Sequence, residues 1–163
     1  MNITVAPRGI LQIDDARIVY RNFSGAESQF NRKGDRNFSI VIPTEEIADD
    51  LTSQGWNVKV KPPRNEEDGP FMHLPVKIKF NGRGPNVWLV SGCKRVKLDE
   101  ESIGIIDDID IAKIDLDIRP YDWDVNGKTG RSAYLHSMEV VQELDRFAAR
   151  FEEETIEVPF DFE

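Results

Sequence analysis

The longest strand pattern in the chain lies within IDIAKIDLDIRPYDWDVNGKTGRSAYLHSMEVV, residues 109–141. Ile109 and Ile111 occupy odd positions, and further along Ile114 and Leu116 occupy even positions. Because successive side chains of a strand point to opposite faces, one extra residue between the two sets is needed if both face one core. The pattern therefore predicts a long strand with a bulge or bend, which can serve both halves of a small barrel.

The second half of this stretch predicts a hairpin. Asn126 and Gly127 form a dipeptide typical of a two-residue hairpin turn. We expect residues 123–131 to form an extended arm and residues 132–141 to return as a strand.

Short strands are also predicted in the first half of the chain, at residues 10–23, 38–42, 56–61, 71–80 and 87–90. In the last two of these strands, Pro75 predicts an edge position, and the Gly-rich residues 81–85 predict a hairpin that joins the two strands.

One short helix is predicted after Thr44, a residue type that caps helices, and it should end near Gly55. Many short strands, one helix and long loops favour a mainly β fold, an OB-fold-like small barrel with extended hairpin arms. An immunoglobulin-like sandwich is the alternative that the pattern leaves open.

Charge is distributed unevenly along the 163 residues, whose formal net charge is −9. Residues 17–97 hold 14 Lys and Arg against 9 Asp and Glu, whereas residues 98–124 hold 2 against 10. We therefore expect one barrel domain, residues 1–144, with a mildly basic body, followed by an acidic tail, residues 145–163. No signal peptide or membrane span is apparent and Cys93 is the single cysteine, so a cytoplasmic location is expected.

The tail combines carboxylates with aromatic residues. Its charges repel one another and its apolar content is low, which predicts disorder. We expect the tail to bind a partner protein, or to compete with nucleic acid for the protein's own basic groove; a solubilising terminus or a docked last strand are the simpler readings. The residues concerned are Glu152, Glu153, Glu154, Glu157, Phe160, Asp161 and Phe162.

Catalytic patterns are sparse. His73 and His136 lack the neighbours of a zinc or phosphoryl-transfer site, and we expect both on the surface. Divalent metal ions could be held by carboxylates at Asp107, Asp108, Asp110, Asp115 and Asp117, but the last three alternate with apolar residues, as on a solvated strand face. We therefore expect no enzyme activity, no cofactor and no metal, although a metal-dependent nuclease remains an alternative.

A nucleic-acid interface is better supplied, because binding of single strands needs cations for the backbone and aromatic faces for the bases. The candidate cations are Arg32, Lys33, Arg36, Lys59, Lys61, Lys77, Lys79, Lys94, Arg95, Lys128 and Arg131. The candidate stacking residues are Phe30, Trp88, Tyr121, Trp123 and Tyr134.

Across residues 18–141 the chain resembles phage and prophage single-stranded DNA-binding proteins. The similar runs are KGDRNFSI (33–40), GWNVK (55–59), LPVKIKF (74–80) and above all IRPYDWDVNGKTG (118–130). The resemblance implies an OB barrel that coats single-stranded DNA in phage replication or recombination. It also implies an acidic tail that recruits replication and recombination proteins, although this chain ends Phe-Asp-Phe-Glu, not Pro-Phe as in bacterial-type tips.

A rival reading is an acidic protein that imitates DNA and blocks a host factor. The net charge supports this reading, and the segregated basic positions oppose it. A homo-oligomer is compatible with the sequence.

Overall fold

The computed structural model describes residues 1–65, 67–82 and 84–145. Its strands are β1 (Asn2–Val5), β2 (Leu11–Asp14), β3 (Ile18–Asn22), β4 (Arg36–Val41), β5 (Lys59–Lys61), β6 (Phe71–Ile78), β7 (Asn86–Ser91), β8 (Lys94–Leu98), β9 (Ile111–Val125) and β10 (Lys128–Gln142). The described residues also contain the α-helix α1 (Glu45–Ser53) and two 3-10 helices, Pro7–Gly9 and Ile103–Asp107. The mainly β prediction with one short helix is confirmed.

Predictions about the acidic tail from residue 146 onwards lie outside the described residues. In the part of the chain that is described, no helix is both long and apolar enough to cross a membrane.

The sheet curls into a barrel because β2 and β3 are one bent segment. The strands pair in the order β2-β9-β10-β6-β4-β3, with β6 and β10 parallel. Within the bend, the Ala16 N–H donates to the Ile114 carbonyl of β9 at 2.9 Å, and the next residue, Arg17, accepts from the Val41 N–H of β4 at 2.8 Å. Consecutive residues thus bond to strands at opposite ends of this path, which gives the predicted OB-like barrel rather than two separate sheets.

The predicted irregularity in the long strand is present. Lys113 of β9 pairs with Val141 of β10, but the next paired residues are Ile111 and Gln142, so Ala112 is an extra residue on β9. A second register shift at His136 of β10 was not predicted. Both irregularities bend the two longest strands around the core.

Helix α1 forms as predicted. The Thr44 hydroxyl accepts from the Ile47 N–H at 3.2 Å and caps the first turn. Ala48 and Leu51 are buried. Gly55, just after the helix, adopts φ +93°, a conformation that favours glycine.

The prediction that Pro75 marks an edge strand is wrong. Strand β6 pairs along one side with β4, and on its other side with β5 at residues 71–73 and with β10 at residues 76–77. Pro75 lies between those two partner segments, where the ladder on that side is interrupted. A proline can therefore occupy a central strand at this position.

Two other local predictions need correction. Residues 81–85 do not turn β6 into a hairpin, because β7 pairs with β10 and β8 and not with β6; the hairpin in this region is β7–β8. The strand predicted at residues 56–61 is shortened to β5, and Val60 is 59% exposed. Strand β5 pairs with the first three residues of β6, and all three of its own side chains are exposed, so its alternating apolar and basic residues do not contribute to the core.

The expectation that His73 lies on the surface is also wrong, because it is 7% exposed. Its Nδ1 lies 2.9 Å from the Ser39 hydroxyl oxygen. Burial lowers the pKa of His73 below its ordinary value, and the charges of Lys61 and Lys59 lower it further. His136, in contrast, is exposed as expected.

Asp107 joins the 3-10 helix Ile103–Asp107 to the end of β3. Its carboxylate accepts from the N–H groups of Phe23 at 2.7 Å and Ser24 at 3.0 Å. Arg21 strengthens the junction, since its guanidinium donates to the carbonyls of Ile106 and Ile109, each at 2.8 Å. One of the aspartates considered as a metal ligand is therefore engaged with the backbone.

Replacing Asp107 with Ala should lower the free energy of unfolding by about 1–3 kcal/mol, because two backbone N–H groups lose their acceptor. Urea denaturation measures the change. The matched control is Asp108→Ala, an exposed neighbour, which should change stability by less than about 0.5 kcal/mol. Equal losses in the two variants would contradict the junction.

His73 should make stability depend on pH. Its folded-state pKa is depressed below 6.5, so between the two values the unfolded chain binds more protons, and stability falls as the pH falls. Between about pH 7.5 and about pH 5.5 the wild-type protein should lose stability relative to His73→Gln, whose side chain does not titrate. A stability difference that is constant over this range would contradict the assignment.

Candidate nucleic-acid interface

A row of outward-facing residues, which we name the basic row, crosses four strands of the barrel. Asn37 on β4 pairs with Lys77 on β6, Lys77 pairs with Tyr134 on β10, and Tyr134 pairs with Arg119 on β9. This row lies on the β4–β6 side of the barrel, the side that OB folds commonly use for oligonucleotides.

Three cations surround Tyr134. The charged groups of Arg119, Lys79 and Lys77 lie 5.1, 5.7 and 6.0 Å from the centre of its ring. Such distances allow cation–π attraction. We name these four residues the Tyr134 cluster. Tyr134 is only 9% exposed, so its predicted role as a stacking surface would require neighbouring side chains to move.

Lys79 lies between two open clefts of about 400 and 410 Å³. The polar residues of the first cleft include Arg8, Arg119 and His136. The residues that line the second cleft include Arg32, Gly34, Arg36 and Lys77. The structure therefore brings together four predicted cations, Arg32, Arg36, Lys77 and Lys79, and adds Arg8 and Arg119, which the sequence analysis did not select.

All four predicted arginines are already paired with carboxylates. The pairs are Arg32–Asp35 at 3.8 Å, Arg36–Glu100 at 3.4 Å, Arg95–Glu139 at 3.3 Å and Arg131–Asp122 at 2.7 Å.

The predicted lysines differ from these arginines. Within the described ranges, no carboxylate oxygen lies within 4.0 Å of their ammonium groups. The lysines are Lys33, Lys59, Lys61, Lys77, Lys79, Lys94 and Lys128. They can bind a phosphate without first losing an ion pair.

Arg131 braces the β9–β10 arm. It donates to both carboxylate oxygens of Asp122 and, at 3.0 Å, to the Gln54 carbonyl just after α1. Its guanidinium also lies 5.4 Å from the ring centre of buried Trp56. The hydrogen bond from Arg131 lowers the pKa of Asp122. These contacts favour a positioning role for Arg131.

The arm places two aromatic residues at its surface. At its tip, Asn126 and Gly127 have φ of 52° and 79°, as in a type I′ turn. Trp123 lies across from Gly130, and a Cβ atom at Gly130 would overlap the indole. Tyr121 is exposed and contacts Tyr134 edge-on at 5.7 Å between ring centres, which connects the arm to the Tyr134 cluster.

Two predicted stacking residues lie elsewhere. Trp88 is on the β7–β8 hairpin with Arg95 at 3.9 Å and Lys97 at 5.9 Å from its ring, further along β10 than the Tyr134 cluster. Phe30 is 91% exposed in the loop between β3 and β4, the loop that also carries Lys33.

A second aromatic group on the outer face comprises Tyr20, Phe71 and His73, with Lys61 beside them; we name these four residues the Tyr20 cluster. The ring centre of Tyr20 lies 6.2 Å from that of Phe71 and 5.4 Å from that of His73. Phe71 and His73 are not among the stacking residues predicted from the sequence. Both residues have odd numbers, as Lys77 and Lys79 do. Because side chains alternate along a strand, this parity could have indicated that they face outward on β6.

The solved structures that resemble this chain give an independent view of the fold. The single-stranded DNA-binding protein of bacteriophage Enc34 matches with a TM-score of 0.57 and 12% identity over 90% of this chain and 88% of that one. A structure of the same phage protein in complex with single-stranded DNA matches with a TM-score of 0.57 and 13% identity over 90% and 93%. Its C-terminally truncated form gives 0.54 and 14% over 88% and 92%.

No curated protein sequence matches this chain. The family described as "Putative phage ssDNA-binding domain" matches residues 3–160, almost the whole chain. Together with the shared barrel, this match shows that the chain belongs to the phage family of single-stranded DNA-binding domains.

Proposed function

We propose that this protein binds single-stranded DNA without sequence preference on the outer face of β4, β6, β10 and β9. The observation that carries the proposal is the Tyr134 cluster, in which Lys77, Lys79 and Arg119 surround one ring and connect two clefts. Family membership and the similar fold of a phage protein in complex with single-stranded DNA support it.

The two kinds of side chain have different tasks. Lysines that lack a carboxylate partner neutralise phosphates and release counterions, which gives affinity without reading sequence. Exposed aromatic residues stack on bases, each stack contributing about 1–3 kcal/mol, and every base offers a π-face. Tyr121 and Trp123 on the arm and Phe30 in the β3–β4 loop are the best placed for stacking, because all three are exposed.

The net negative charge does not oppose this function. Along the outward positions of β9, Asp115 and Asp117 are followed by Arg119 and Tyr121. The carboxylates therefore lie next to Arg119, on the side towards the start of β9. There they would repel a phosphate chain and limit the binding surface to the β4–β6 side. This segregation favours a DNA-binding protein over a protein that imitates DNA.

We further propose a non-enzymatic role in phage DNA replication or recombination in the host cytoplasm. The acidic tail, residues 145–163, would recruit replication or recombination proteins through Phe160 and Phe162. It would also occupy the basic face when DNA is absent and so compete with incoming DNA, because opposite charges attract at low salt.

Removal of a phosphate contact tests the binding face. Lys79→Ala should weaken binding of labelled oligo-dT and of mixed-sequence oligonucleotides alike, and should reduce the slope of log affinity against log salt by about 0.7. Fluorescence anisotropy at several salt concentrations measures both.

The matched control is Lys113→Ala. Lys113 lies near the start of β9, away from Arg119, and its ammonium pairs with the Asp115 carboxylate at 3.7 Å. An unchanged slope for Lys79→Ala would exclude Lys79 from the binding face.

Oligonucleotides incubated with the protein and Mg²⁺ should remain intact on a denaturing gel; cleavage would contradict a purely binding role.

Competition by the tail predicts an effect of the opposite sign. The double variant Glu152→Gln with Glu153→Gln should bind oligo-dT more tightly than the wild-type protein at low salt, and the difference should shrink at moderate salt because screening weakens the tail's attraction to the basic face. The same charge change at Glu45 and Glu46, on exposed positions of α1, is the control. Equal effects in the two double variants would show a general charge effect and contradict competition.

A further inference from the structure

We propose that the Tyr20 cluster is a nucleobase-binding subsite, in which one unpaired base stacks on Tyr20 while Lys61 binds a neighbouring phosphate. This inference rests on the proposed function, and it assigns a specific contact to residues that lie outside the Tyr134 cluster.

The backbone at Tyr20 is unusual for a strand. Its φ is +54°, in the left-handed region that residues other than glycine seldom adopt. Val19 pairs with Ser39 and Asn22 pairs with Asn37, so β3 carries one extra residue there relative to β4. Strained residues of this kind are concentrated at binding and catalytic sites, where the surrounding structure maintains them.

The strain places a large aromatic side chain at the surface. Tyr20 is 54% exposed, although Phe71 and His73 support it from β6 with rings inclined at 84° and 72°. Lys61 donates to the Tyr20 hydroxyl at 2.9 Å, and its ammonium lies 4.6 Å from the ring centre. A rigid, exposed ring with a cation beside it matches what a base and its phosphate require.

His73 adds a buried polar atom. The Nδ1 atom contacts Ser39, but Nε2 is shielded from solvent and has no hydrogen-bond partner within the described ranges. Native structures seldom leave such an atom unsatisfied unless the site has a ligand or an ordered water.

The subsite also continues the basic row. Strand β6 carries both groups on its outward positions: first Phe71 and His73, then Lys77, with Lys79 just after the strand ends. At about 3.3 Å per residue, His73 lies about 13 Å from Lys77 along the strand. One extended nucleic acid strand can therefore contact the Tyr20 cluster and the Tyr134 cluster together.

The competing explanation is that Tyr20 only holds Lys61 and strand β5 in place through its hydroxyl. Two substitutions separate the readings. Tyr20→Phe removes the hydrogen bond to Lys61 and keeps the ring, whereas Tyr20→Leu removes the ring and keeps an apolar side chain. Oligo-dT and an abasic oligonucleotide of equal length separate base contacts from backbone contacts.

Tyr20→Leu should bind oligo-dT roughly 5- to 100-fold more weakly, the range for loss of one stacked base, and should bind the abasic oligonucleotide as the wild-type protein does. Tyr20→Phe should remain within about twofold of the wild-type protein on both. No loss for Tyr20→Leu, or an equal loss on both oligonucleotides, would overturn the subsite. Failure of the wild-type protein to bind oligo-dT would instead overturn the proposed function.

A second measurement does not depend on the folding of a variant. Oligo-dT that contains 5-iodouracil, irradiated with the wild-type protein, should give an adduct on Tyr20 or Phe71 that mass spectrometry of the digested protein locates. Adducts confined to other residues would exclude the Tyr20 cluster as a base-binding site even if Tyr20→Leu proved unstable.

Discussion

The fold depends on two hydrogen bonds at one bend. Ala16 bonds to β9 and Arg17 bonds to β4, so a single short connection joins strands that lie at opposite ends of the pairing path. A sheet with this connection must curve, and the bulge at Ala112 provides part of the bend on the opposite strand. Curvature turns one face of each strand towards the core and the other outwards. The side-chain parity of β4, β6, β9 and β10 therefore decides which residues can reach DNA.

Parity is also why so much was visible in the sequence. The change from odd to even apolar positions identified the bulge, and Asn126-Gly127 identified the arm, because both are local rules about neighbouring residues. The same alternation in β6 accounts for the outward position of Lys77, one of the candidate cations. The mainly β fold, its capped helix and the family resemblance were within reach of such rules. The order in which the strands pair around the barrel was not predicted.

What could not be read from the sequence depends on contacts between distant segments. Arg131 carries the same charge as the lysines, yet it is held by Asp122 and the Gln54 carbonyl. His73 is buried because Tyr20, 53 positions earlier in the chain, packs against it from β3. Pro75 occupies a central strand because two different strands share that side of β6. Each outcome follows from three-dimensional neighbours, and a single sequence does not specify them.

An acidic protein can bind a polyanion when its charges are separated by geometry rather than by composition. Strand β6 presents only basic, aromatic or small outward residues between Phe71 and Lys79, whereas β9 changes from aspartates to Arg119 along its length. The Tyr134 ring then holds three cations close together, since it attracts ammonium and guanidinium groups that would otherwise repel one another, and Tyr20 attracts Lys61 in the same way. In the proposed binding mode, such a ring concentrates positive charge before DNA arrives, and a base that stacks nearby would gain from the same arrangement. The attraction for phosphate is local, while the carboxylates elsewhere disfavour binding outside the basic row.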